Sequence, residues 1–74
     1  MTLPEIPLGA IDRLMRKAGV QRISLTATES LRDALEQISV QVAEKALDCA
    51  KHSGRVTLGE EDILLALKLL ELNQ

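Results

Sequence analysis

Residues 26–53 read TATESLRDALEQISVQVAEKALDCAKHS, and the run contains neither Gly nor Pro. It is made mostly of Ala, Leu, Glu, Lys, Gln, Val and Ser, and Gly54 closes it. Such a run predicts one helix of roughly 27 residues, about 40 Å long at 1.5 Å per residue. A globule built from the whole chain would have a radius of gyration of only about 11 Å. The rod is longer than the ball that would hold it, so a second chain is expected to share it. Its apolar positions agree. Ala27, Leu31, Ala34, Leu35, Ile38, Val42, Ala46 and Cys49 recur in steps of three and four along one face. Ala43, Leu47 and Ala50 widen the stripe toward the C-terminal half. Glu29, Asp33, Glu36, Glu44, Asp48 and Lys51 fall mostly off it, on faces open to water or nucleic acid. Two short flanking helices cannot cover so long a band.

Outside this run the chain is short, and its 74 residues make one domain, 1–74. A monomer of this size is marginal, and oligomerisation is a common remedy. Phe, Tyr and Trp are absent, so the core must be aliphatic, and no ring is available to stack on bases or ligands. One Cys excludes an intrachain disulfide, and no Cys/His spacing suggests zinc. Cys49 lies on the apolar stripe and reads as a small core or interface residue. A single His and a single Cys, with no nucleophile–base set and no phosphate loop, argue against an enzyme. No catalytic residue, metal, cofactor or small-molecule substrate is expected. Neither a membrane span nor a signal peptide is legible, which points to a soluble cytoplasmic protein.

The net charge of −2 hides an asymmetry. Up to Ser24, two acids face the four bases Arg13, Arg16, Lys17 and Arg22; from Leu25 onward, nine acids outnumber five bases. Positive charge therefore gathers in the first third, and Arg55 joins it only if folding brings it there.

Pro7 and Gly9 punctuate the lead-in, and a short helix is predicted from about Ala10 to Ala18. Leu8, Ile11, Leu14, Met15 and Ala18 form its apolar face; Arg13, Arg16 and Lys17 lie on the other side. Gly19 suits the left-handed stop. Val20–Leu25 is a loop with a few extended residues. Thr26 and Glu29 form a T-x-x-E capping box for the long helix, with Ser24 as the alternative cap. Arg55–Leu58 is a second loop with an extended pair, Val56 and Thr57, and Thr57 with Glu60 offers another box. The third helix runs to about Leu70, with Ile63, Ala66, Leu67 and Leu70 inward and Leu65 and Leu69 flanking. Glu60, Glu61 and Asp62 crowd its first turn, where the helix dipole favours acids. Glu71–Gln74 is expected to fray. In an antiparallel pair of long helices, the first loop of one chain would meet the second loop of the other. Arg22 would then approach the partner's second loop, and each dimer would carry two basic surfaces.

The segments IDRLMRKAG (11–19), QRIS (21–24), AKHSGRVTL (50–58), EDI (61–63) and LA (65–66) together resemble the archaeal-type histones, the minimal tailless histone fold. The resemblance runs from Leu3 to about Leu70. It implies an all-α histone fold, short helix–loop–long helix–loop–short helix, paired as a handshake dimer. It also implies a chromatin protein of the nucleoid or chromosome that compacts double-stranded DNA non-specifically, as a homodimer that assembles further on DNA into tetramers or larger. Arg13 matches a phosphate contact, Arg22 the first-loop arginine that enters the minor groove, and Thr57 a backbone contact. With Arg16, Lys17 and Arg55 these are the DNA-binding candidates. Arg55 and Asp62 match a structural pair that holds the second loop to the third helix. Cys49, His52, Asp62 and Leu65 match the four-helix bundle through which dimers join. Backbone phosphates accept from Arg and hydroxyl groups without regard to sequence, and minor-groove arginines hold wrapped DNA in histone octamers, which share the fold this resemblance implies. The chain departs from the family at Val56 and Gly59, where lysines are usual, and at its end, Leu69-Leu70-Glu71, which is usually basic. Those departures favour an alternative: a histone-fold interaction subunit that pairs with a different chain, as in transcription or kinetochore complexes, with DNA contact secondary.

Overall fold

The computed structural model describes residues 4–72. Three helices follow one another: α1 (Leu8–Lys17), α2 (Leu25–His52) and α3 (Glu60–Leu69). No strand occurs among the described residues. This is the short–long–short all-α order that the sequence predicts. Val56 and Thr57 form a bend instead of an extended pair, and no strand lies beside them among the described residues.

The helix ends show how local sequence sets local structure. α1 begins two residues earlier than predicted. Pro7 sits at the N-cap with φ −64°, and the amides of Ala10 and Ile11 donate to its carbonyl at 3.1 and 3.4 Å. Proline's fixed φ suits a helix entry, so it starts the helix instead of delaying it. At the other end Gly19 takes φ +99°, and Val20 N–H reaches the Met15 carbonyl at 3.1 Å. That closes the helix in a Schellman turn.

α2 is capped by Ser24, whose hydroxyl accepts the Ala27 amide at 3.1 Å. The Thr26–Glu29 box does not form, because the helix starts at Leu25 and Thr26 already lies within its first turn. Gly54, at φ +73°, ends α2 with Arg55 N–H on the Ala50 carbonyl at 2.9 Å. α3 starts from Gly59, not from Thr57, so Glu60 is its first residue and cannot close a box with Thr57. Glycine has no side chain to donate or accept, so the cap has one arm: the Asp62 carboxylate accepts the Gly59 amide at 2.9 Å. α3 ends on Glu71, held at φ +59°, with Leu72 N–H on the Leu67 carbonyl at 2.8 Å. Glu71 and Leu72 therefore complete a cap where fraying was expected; Asn73 and Gln74 lie outside the described residues.

The chain forms two compact units, one up to Gln37 and one from Ile38, and each has its own packing. In the first, Ile11 is fully buried and Thr28 nearly so, with Leu8, Met15, Ile23, Leu31 and Leu35 half-buried. Leu14 and Ala18, predicted on the inward face of α1, are exposed. In the second, Val42, Ala46 and Ala66 form the core, and Ile63, Leu67 and Leu70 pack against it. This is the inward face predicted for α3. Ala46, Ala50 and Ala66 have no exposed surface, so the backbones approach closely there.

Part of the α2 stripe is left uncovered. Ala27, Ala34 and Ile38 are exposed, as are Val40 and Leu47. Among the described residues no helix is long and apolar enough to cross a membrane, and no group of His, Cys, Asp and Glu could hold a metal.

Candidate nucleic-acid interface

Arg13, Arg16 and Lys17 stand at i, i+3 and i+4 on α1 and share one exposed face. Their surroundings differ. Arg13 lies back along its own helix, with Nη1 3.5 Å from where a Cβ on Gly9 would sit. Arg16 is engaged within the chain. Its Nε donates to Asp12 Oδ2 at 2.9 Å, Nη2 to Asp12 Oδ1 at 3.5 Å, and Nη1 to the Gln21 carbonyl at 3.1 Å. Arg22 is exposed in the loop that follows, and its side chain makes no hydrogen bond among the described residues.

Glu36 has a role that helical periodicity does not reveal. Its Oε2 accepts the amides of Glu5 and Ile6 at 2.5 and 2.7 Å, which ties the lead-in segment to α2. A signal for it was present: the amides just before Pro7 have no helix or ladder to join, and that of the half-buried Ile6 needs an acceptor.

In the second unit, Arg55 makes a two-toothed pair with Asp62. Nη2 donates to Oδ1 at 2.7 Å and Nη1 to Oδ2 at 2.8 Å. Asp62 is only 2% exposed, and Oδ2 also accepts the Gly59 amide. Paired planar geometry and full satisfaction of the carboxylate are what a buried charge requires. The Arg55 hydrogen bonds, helped by the Gly59 amide, hold the Asp62 carboxyl below the usual carboxylate range. The same hydrogen bond to Asp62 raises Arg55 above its ordinary value against the opposing effect of burial. Glu61 takes a further bond from Arg55 Nη1 at 3.0 Å. Loop 2 is thereby fastened to the first turn of α3 through one guanidinium.

Thr57 is exposed in the bend, and Val56 beside it is 95% exposed. A Cβ on Gly59 would stand 2.7 Å from the Glu61 carboxylate oxygens, so any larger residue there would have to displace the Glu61 side chain. His52 is exposed at the last residue of α2, Leu65 is exposed on α3, and Cys49 is half-buried. Asp62 is not on the surface with them; both its oxygens are engaged within the chain.

A family model described as histone-like transcription factor (CBF/NF-Y) and archaeal histone matches residues 4–67. The chain is 44% identical over 66 residues to an archaeal histone HAN1 subunit of Thermococcus zilligii, covering 89% of this chain and 98% of that one. It is 39% identical over 66 residues to probable archaeal histone 3 of Methanocaldococcus jannaschii, with the same coverage. Histone H4 of Dictyostelium discoideum is 37% identical over 59 residues, which span 80% of this chain and 55% of that histone. These relatives are histones, not enzymes.

Proposed function

We propose, since the chain belongs to the family of histone-like transcription factors and archaeal histones, that it pairs through α2 and compacts duplex DNA without sequence preference, associated with the chromosome. The observation that carries this reading is the apolar stripe a single copy leaves open: Ala27, Ala34 and Ile38, seven and four residues apart on one face of a 28-residue helix, are all exposed, Ile38 by 37%. Such side chains gain most by being covered, and a second α2 has the matching length and character. Pairing leaves the basic face of α1 and the Arg22 loop outward. Arg13, Lys17 and Arg22 then meet phosphate and the minor groove, with Thr57 adding a hydroxyl donor. Arg55 serves architecture, holding loop 2 through Asp62. His52, Cys49 and Leu65 lie on the surface through which dimers join.

Titration of short duplexes over a range of salt tests this. Three contacts per protomer, six per dimer, give a log–log salt slope of about −5. The slope should hardly change between duplexes of unrelated sequence. Absence of binding at low salt overturns the proposal. A second reading has its own support in Val56, fully exposed in loop 2 where the resemblance leads one to expect a lysine: pairing with a different histone-fold chain. Light scattering of the pure chain separates the two, because a chain built for a different partner stays monomeric by itself.

A further inference from the structure

Resting on the DNA-binding reading above, we propose that Arg16 is a positioning residue: together with Asp12 it clamps the Gln21 carbonyl and so presets loop 1 and Arg22 for the duplex, instead of touching phosphate itself. Two edges of the guanidinium are occupied at once. One meets both oxygens of Asp12, and Nη1 meets the carbonyl of Gln21 five residues on. That carbonyl and the Arg22 amide belong to one rigid peptide plane. Fixing the oxygen therefore fixes the backbone from which Arg22 extends.

The rest of the loop is anchored at its ends. Val20 N–H is bound to the Met15 carbonyl, and Ser24 caps α2. Between them Ile23 is half-buried, while Gln21 and Arg22 are exposed. Arg16 supplies the polar hold nearest to Arg22.

Stability does not explain the arrangement. Both partners of the Asp12–Arg16 pair are substantially exposed, and such pairs contribute little to folding. Phosphate binding does not explain it either. Asp12 places a negative charge next to Arg13 in the chain and one turn from Arg16, and so weakens the very field that would attract a phosphate. A guanidinium is suited to the clamp because its planar fork serves two acceptors in fixed directions; an ammonium cannot hold both in that geometry. The benefit appears on binding: a loop whose backbone is already ordered at Arg22 loses less freedom when the arginine enters the groove.

The charge-conserving variant Arg16→Lys tests the clamp. Lysine serves well as a phosphate ligand, so if Arg16 contacted DNA directly, affinity would stay close to that of the native chain. The clamp predicts affinity about two- to tenfold weaker per arginine freed, with an unchanged thermal midpoint. It also predicts that Arg16→Lys has no further effect once Arg22→Ala is present, because the two act through one contact. In the free protein, 15N relaxation should show a lower order parameter at the Arg22 amide in Arg16→Lys. Native-like affinity, a loss that persists undiminished in the Arg22→Ala background, or an equally ordered Arg22 amide overturns the clamp. If the native chain binds no duplex, the functional proposal falls, and the amide order parameter still decides whether the clamp exists.

Discussion

Replacing Ile38 by Glu probes the shared helix directly. In a single copy Ile38 is 37% exposed, so a glutamate there reaches water, and the change costs at most the buried two-thirds of the isoleucine, about 1–2 kcal/mol. In a pair the position is covered. Losing the remaining third of an isoleucine's burial costs about 1 kcal/mol. A carboxyl enclosed without a partner must also be held neutral near pH 7, some three units above its ordinary titration, at about 1.4 kcal/mol per unit. The sum is about 5 kcal/mol per protomer, counted twice in a dimer. Even with partial access to water, the dissociation constant should rise at least a thousandfold, roughly 4 kcal/mol. Light scattering and sedimentation from 1 to 100 μM, on the order of working concentrations, should find a native dimer and a monomeric or unfolded variant.

Melting adds an independent measure. Two 74-residue chains unfold with an entropy of about 0.3 kcal/mol/K. A tenfold change in concentration is worth about 1.4 kcal/mol to a dimer, so the native midpoint should climb about 5 °C per decade. A native midpoint independent of concentration, or an Ile38→Glu protein of native mass and stability, refutes the reasoning.

Three further outcomes follow from single side chains. Ile11 has no exposed surface, so Ile11→Ala should lower unfolding free energy by about 2–5 kcal/mol in a urea titration. Asp62→Asn should lower the urea midpoint at pH 7. The depressed titration of Asp62 means its contribution is present above the ordinary carboxylate range and fades as pH falls through its lowered folded value, so native and variant should converge in acid. Glu71 holds φ +59°, where a side chain is strained, so Glu71→Gly should raise stability by about 0.5–1 kcal/mol, read as a higher urea midpoint at equal slope.

The helix count, their order and the unusual length of α2 were legible in the sequence. These depend on signals held within a few residues: the uninterrupted run to Ser53, the left-handed stops at Gly19 and Gly54, and the periodic face of α3. The capping residues were less so. Ser24 rather than Thr26, and Gly59 with Asp62 rather than Thr57 with Glu60, were selected by a shift of two residues in the cap position. Neighbouring residues offer nearly equivalent caps, and only the packed helix chooses among them.

The basic cluster on α1 was equally visible, but the state of each member was not. Arg13, Arg16 and Lys17 look alike as letters, yet Arg16 alone is drawn to Asp12 and the Gln21 carbonyl. Glu36 reads as one more solvated acid until the lead-in segment folds back onto it. Periodicity tells which way a side chain faces along its own helix. Whether a charge there is free or already satisfied depends on atoms contributed by other segments, and those arrive only when the chain folds.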